Sequence, residues 1–175
     1  MESASSVIDG IASHLNARGI RLPVATEEAV GVAETLLGLS VPKLLRSIYL
    51  RVANGGFGPG YGIIGVSGGH RSSLGTLVET FTEIRRGADY LGLKWNPQLL
   101  PFCEWGCNVF SCVDCADPGS PIFRSDECKV HPVNYGLEEF FRMWLDGRDL
   151  FNEGGPMRRV VEITNPFTGK KTRVT

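Results

Sequence analysis

The chain has 175 residues, of which 42% are hydrophobic and 21% are charged, and its formal net charge at pH 7 is -1. This composition predicts one globular domain with a single core and excludes nucleic-acid binding driven by bulk charge. No apolar run approaches the roughly eighteen residues of a membrane span. The first residues also lack the basic start and apolar block of a signal peptide, so we expect a cytoplasmic protein.

The first third of the chain predicts three helices. Residues 4–17 place apolar side chains at helical spacing. Thr26 is a suitable N-cap for a second short helix, and Ser40 is one for a third helix with Pro42 in its first turn. The third helix runs into Asn54 and two glycines, which tolerate the left-handed conformation that ends helices.

The remaining pattern alternates short strands with two further helices. Residues 61–66 predict a buried strand, and residues 76–90 predict an amphipathic helix. The segment 98–115 predicts two strands around a turn at Trp105 and Gly106. Residues 117–127 predict a turn and another strand, and residues 137–147 a last helix.

These elements predict a single α+β domain, in which helices flank a small, mostly antiparallel sheet. We divide the chain into an N-terminal helix (1–20), the main α+β domain (21–151) and a C-terminal extension (152–175). The extension predicts a β-hairpin with a loop around residues 165–169. Its net charge is +3, whereas residues 21–151 carry -3.

The segment 54–65, NGGFGPGYGIIG, has six glycines in twelve positions. A phosphate-binding loop follows a strand, opens a helix and carries a lysine with a serine or threonine. Here a helix precedes the segment, a strand follows it, and Pro59 interrupts it, with no lysine between Arg51 and Arg71. The pattern therefore favours a helix stop followed by close backbone packing, and no cofactor is expected.

All five cysteines lie between Cys103 and Cys128. Cys103, Cys107, Cys112 and Cys115 offer an alternative zinc set. On an extended strand, however, Cys112 and Cys115 would point to opposite faces, and Cys107 and Cys115 would lie ~26 Å apart. We favour small, half-buried thiols and predict no metal site. The histidines stand in no recognisable catalytic motif.

Carboxylates cluster loosely in the same part of the chain. Glu104, Asp117, Asp126 and Glu127 could line an acidic groove for a basic partner or could be solvated turn residues. Asp114 differs from them because it sits in an apolar strand, where a carboxylate is costly unless it is hydrogen-bonded. A fixed structural or binding role for this residue is therefore expected.

The order of these signals resembles the SUKH superfamily, in the branch of the Smi/Knr cell-wall-synthesis regulators and their bacterial relatives. The ordered pieces are YLRVANGGFGPGYGIIGV, LLPFCEWGCNVFSCVDC, GSPIFRSDE and YGLEEFFRMWL. The resemblance covers roughly residues 22–147. The N-terminal helix and the basic extension depart from it.

The resemblance implies a binding module without a catalytic centre, most often an immunity protein that neutralises a polymorphic or contact-dependent toxin such as a nuclease. It implies a protein partner and no direct binding of nucleic acid or membrane. A regulatory scaffold for an endogenous protein is the first alternative, and a cysteine-based zinc or thiol enzyme is the second. The resemblance also implies six fold-defining motif positions: Asn54, Gly55, Gly56, Trp105, Gly106 and Asp114.

Overall fold

The structure is a computed structural model, which describes residues 2–153, 161–164 and 171–174. Its helices are α1 (Glu2–Ala17), α2 (Glu27–Leu37), α3 (Lys43–Arg51), α4 (Leu77–Tyr90), α5 (Leu137–Leu145) and α6 (Leu150–Glu153). Its strands are β1 (Gly62–Ile63), β2 (Leu99–Gly106), β3 (Val109–Asp114), β4 (Pro121–Asp126), β5 (Lys129–Gly136), β6 (Val161–Thr164) and β7 (Lys171–Val174). In the described residues, no helix has the length and apolarity needed to cross a membrane.

The first five strands form one antiparallel sheet in the order β1-β2-β3-β4-β5. Helix α5 packs against β5, and its Phe140 ring meets Phe102 of β2 edge-on at 5.1 Å between ring centroids. Helix α4 packs against β2. The predicted α+β class, with a small antiparallel sheet flanked by helices, is confirmed.

Two tight turns lie at the same end of this sheet, and we call them the hairpin tips. Cys107 and Asn108 join β2 to β3, with φ of 50° and 59°. Glu127 and Cys128 join β4 to β5, with φ of 46° and 64°. Two consecutive left-handed residues are typical of the type I′ turn, whose twist matches that of the flanking strands. The turn expected at Trp105 and Gly106 is wrong, because these residues still belong to β2.

Three other local expectations differ from the structure. Helix α3 begins after Pro42, which occupies the N-cap without a side-chain hydrogen bond, so Ser40 does not cap it. Strand β5 was not expected, because its polar residues and Pro132 resemble a loop. It forms because β4 pairs with it from Asp126 opposite Lys129 to Pro121 opposite Gly136, with one register shift between Pro121 and Phe123. The short helix α6 was also not expected.

The helices share one hydrophobic core with the sheet. Helix α1 contributes Val7 and Ile11 to it, and packs against α5 and α3. Tyr49 of α3 is fully buried, and its hydroxyl donates a hydrogen bond of 2.6 Å to the carbonyl of Ile64. This bond ties α3 to the segment that leaves β1.

In the extension, β6 and β7 pair antiparallel, from Val161 opposite Val174 to Thr164 opposite Lys171, in a sheet separate from the first. The loop expected around residues 165–169 lies outside the described residues.

Replacement of Tyr49 by Phe tests the bond between α3 and the β1 segment. The substitution leaves the buried Ile64 carbonyl without this donor, so we expect the free energy of unfolding to fall by ~1–3 kcal/mol in urea denaturation. Tyr90→Phe is the matched control, because the Tyr90 side chain is exposed; its effect should stay within ~0.5 kcal/mol. Equal stability of the two variants would contradict a stabilising hydrogen bond from the Tyr49 hydroxyl to the Ile64 carbonyl.

Candidate functional site

Asn54 organises the segment that follows α3. Its side-chain Oδ1 accepts from the Val66 amide at 2.9 Å, and its Nδ2 donates to the Ser67 carbonyl at 3.2 Å. Its backbone amide donates to the Pro23 carbonyl at 2.7 Å, and its carbonyl accepts from the His70 amide at 2.9 Å. Asn54 therefore joins the segment before α2, the end of α3 and the chain beyond β1. We call residues 54–70 the Asn54 clasp.

Glycines allow this clasp to close. A Cβ on Gly55, at φ +77°, would lie 2.5 Å from the Ile63 carbonyl oxygen. A Cβ on Gly65 or Gly69 would lie 2.3 Å from an atom of Asn54. Several amides of the segment are bonded within it, including Gly56 to Ile63 O at 2.9 Å. Amides occupied in this way do not form the open cradle of a phosphate loop.

The clasp forms one wall of an open polar cleft of about 520 Å³ beside the β2–β3 tip. The cleft is lined by Tyr61, His70, Arg71, Ser72, Ser73, Glu104, Gly106, Cys107 and Asn108. Glu104 is buried at its base, where its carboxylate accepts from the Ser73 amide at 3.0 Å and from the Ser73 hydroxyl. Glu104 thus fixes the loop that leads to α4.

His70 and Arg71 of the polar cleft are held by a backbone carbonyl and by α4, respectively. His70 Nε2 lies 3.0 Å from the Tyr61 carbonyl, which can only accept, so this nitrogen carries the proton. Arg71 pairs with Glu79 at 3.1 Å. Hydrogen bonds from the backbone and hydroxyl of Thr76 lower the pKa of Glu79 at the N-terminus of α4, and Arg71 adds to this effect.

Trp105 and Gly106 have different structural roles: Gly106 leaves room for a ring, and Trp105 makes side-chain contacts. A Cβ on Gly106 would lie 2.5 Å from the ring of Tyr61, so the missing side chain leaves room for that ring. The Trp105 indole donates to Ser111 Oγ at 2.8 Å, and its ring lies 5.3 Å from the guanidinium carbon of Arg124.

Arg124 is only 5% exposed and holds α6 on the sheet. Its guanidinium donates to the Phe151 carbonyl at 2.6 Å and the Leu150 carbonyl at 2.9 Å, and stacks 4.8 Å from the Phe151 ring. Burial lowers its pKa. Sequence reasoning missed this residue; an arginine at an inward position of an apolar strand was the available signal.

The five carboxylates singled out in the sequence do not form one patch. Glu104 lies at the base of the polar cleft, and Asp117 accepts from the Gly119 amide at 2.7 Å in the β3–β4 turn. Asp126 and Glu127 lie at the other end of β4, ~17 Å along the strand. Asp114 ends β3 and accepts from the Ala116 amide at 2.9 Å, which is a turn-forming bond.

The cysteines are also dispersed. Cys103 and Cys112 are buried, Cys107 is exposed at the β2–β3 tip, and Cys115 lies beyond the far end of β3. Burial raises the thiol pKa of Cys103 and Cys112, and raises that of Cys115 to about 12. Among the residues the structure describes, no group of three His, Cys, Asp or Glu side chains is placed to hold a metal ion.

These features define an antiparallel α+β module with a rigid polar cleft at one end of its sheet. The chain belongs to the SMI1 / KNR4 family (SUKH-1), whose family model matches residues 24–143. The resemblance stated from sequence is therefore confirmed. No curated protein matches the chain. The family is generally one of non-enzymatic protein-binding modules.

The crowding around Gly55 predicts a large effect of a single methyl group. Gly55→Ala should lower the free energy of unfolding by ~2–5 kcal/mol, because left-handed strain adds to overlap with the Ile63 carbonyl. Gly68→Ala is the matched control, since Gly68 has φ +79° and open space at its Cβ position; strain alone should cost ~1–2 kcal/mol. Equal losses in urea denaturation would contradict the close packing of the clasp.

Thiol exposure predicts an order of alkylation. Cys107 should react first with iodoacetamide at pH 8, and Cys103 and Cys112 only after unfolding in urea. Because the pKa of Cys115 is about 12, its alkylation rate should rise about tenfold per pH unit between pH 8 and 10. Mass spectrometry of tryptic peptides measures each rate. Rapid native labelling of Cys103 or Cys112 would contradict the burial described here.

Proposed function

We propose that this chain is a non-enzymatic immunity protein, which binds a polymorphic or contact-dependent toxin domain and covers the toxin's active cleft or an adjoining surface. Its family membership supports the protein-binding class. A specific interface of this kind buries on the order of 1,600 Å² in total. The toxin class we propose is a nuclease, as the family resemblance implies.

The observation that carries this proposal is the fixed rim of the polar cleft. Tyr61 is 67% exposed there, although its amide donates to the Glu104 carbonyl at 2.8 Å and its ring lies against Gly106. A rigid, exposed tyrosine next to polar groups is typical of binding hot spots, because little side-chain entropy is lost when a partner covers it.

Two ionisable side chains of the cleft are fixed by hydrogen bonds. His70 Nε2 donates to the Tyr61 carbonyl, and the buried Glu104 carboxylate accepts from the amide and hydroxyl of Ser73. These bonds give the cleft a constant shape, which lowers the cost of ordering the surface when a protein partner binds.

Co-expression with the toxin domain encoded beside this gene tests the proposal. We expect the chain to co-purify with that toxin domain and to restore growth of cells that express it. Tyr61→Ala should weaken the complex at least tenfold in calorimetry. Leu36→Ala on α2 is the matched control, because Leu36 is equally exposed, at 67%, and lines neither the polar cleft nor the other pockets.

Failure to bind or neutralise any toxin encoded nearby would contradict the immunity role. Equal weakening by Tyr61→Ala and Leu36→Ala would contradict the polar cleft as the contact surface. Binding of an endogenous protein in place of a toxin would favour the regulatory scaffold.

A further inference from the structure

We propose that a second depression, between α4 and the hairpin tips, receives an apolar side chain from a lysine- and arginine-rich segment of the protein partner. This inference rests on the proposed protein-binding function and names the chemistry that the partner must present. We call the depression the α4 groove. Its volume is about 430 Å³, and its lining includes Leu74, Glu83, Ile84, Leu91, Phe110 and Glu127.

The α4 groove has an apolar part, which includes Ile84, Leu91 and Phe110, and is built by specific contacts. Ile84 and Phe110 are buried on its two sides. The Cys128 thiol donates to the Ile84 carbonyl at 3.6 Å, which joins the β4–β5 tip to α4. A Cβ on Gly87 would lie 3.3 Å from Cys128 Sγ, so glycine permits this approach. A cavity of this volume is within the range of protein sites that take small apolar groups.

The charge of the groove's lining favours a basic partner segment over an acidic one. Both charged side chains in its lining are acidic, Glu83 and Glu127. Asp126 precedes Glu127 and is opposed across the hairpin by Lys129. Glu83 has one cation beside it, Arg86 at 3.3 Å, but this pair is exposed and therefore weak. A partner's cation can replace Arg86, whereas a partner's carboxylate would be repelled.

Exposed apolar side chains extend the same surface. Leu91 lines the groove and is 56% exposed, and its neighbour Tyr90 is 89% exposed. Asn108 lines both the α4 groove and the polar cleft, so the two depressions adjoin at this residue. A partner that covers Tyr61 on one side of Asn108 can therefore reach the groove on the other side.

The acidic lining also argues against two other occupants. A fatty acid or an anionic lipid would bring its negative charge next to Glu83 and Glu127. A second copy of this chain would place one acidic rim against another if the same faces met. A basic protein segment with an apolar anchor suits the groove, because its apolar side chain packs on the apolar lining and its cations lie near Glu83 and Glu127.

The test uses the 175-residue chain and two fluorescein-labelled synthetic peptides of fourteen residues. Both peptides form amphipathic helices with leucine on one face; the other face carries lysine in the first and glutamate in the second. Fluorescence anisotropy at 0.15 M salt should show at least tenfold tighter binding of the lysine peptide. The chain's small net charge, -1, limits non-specific attraction.

Alkylation locates the bound peptide. The lysine peptide should slow iodoacetamide labelling of Cys128 at least threefold, as measured by mass spectrometry. The variant with Leu91→Ser and Glu127→Gln should weaken peptide binding at least tenfold. Its matched control changes one exposed leucine and one exposed glutamate of α2, Leu36→Ser and Glu28→Gln. Circular dichroism checks that both variants are folded.

Equal binding of the two peptides, equal weakening by the two variants, or unprotected Cys128 would overturn the proposal. These results are independent of the toxin experiment. If the lysine peptide protects Cys128 but no neighbouring toxin binds, the groove's preference holds and the immunity role fails. If a toxin binds but the lysine peptide does not, the module binds its partner elsewhere and the groove proposal fails.

Discussion

The hydrogen bonds of buried Asn54, made by its backbone and its carboxamide, are the constraint on which the polar cleft depends. They join the segment before α2, at the Pro23 carbonyl, to the end of α3 and to the chain beyond β1, at the Val66 amide. Tyr61 and His70 of this clasp line the polar cleft. The shape of the cleft is therefore set by backbone packing.

Much of the fold could be predicted because helix caps and apolar periodicity in the sequence mark the same elements that pack together in the structure. Thr76 forms a capping box with Glu79, and α4 begins one residue later, close to the expected start at residue 76. Strand β5 could not be predicted, because Pro132 and Asn134 interrupt its strand-forming valines and tyrosine, and its pairing depends on the neighbouring strand β4. The β2–β3 turn was misplaced because Gly106, whose φ of 93° is positive, still pairs with Val109 in the sheet, and the loop residues are Cys107 and Asn108.

The candidate site was predictable only in part. Asn54 and the adjacent glycines stand out in the sequence, but Glu104 was singled out as a possible contact and is buried beneath Ser73. The carboxylates of one sequence region separate because β4 carries Asp117 and Glu127 to opposite ends of the sheet. The α4 groove requires a helix and two hairpin tips to meet, which no local pattern encodes.

The glycine-rich segment packs as a rigid part of the core and sets the shape of the polar cleft. Native-state hydrogen exchange probes this packing through the amides of Gly56, Val66 and His70, which donate to the Ile63 carbonyl, Asn54 Oδ1 and the Asn54 carbonyl. We expect these amides to exchange only by global unfolding, with the same opening free energy as Tyr49 in α3. Exchange at rates of a flexible loop, many orders of magnitude faster, would contradict it.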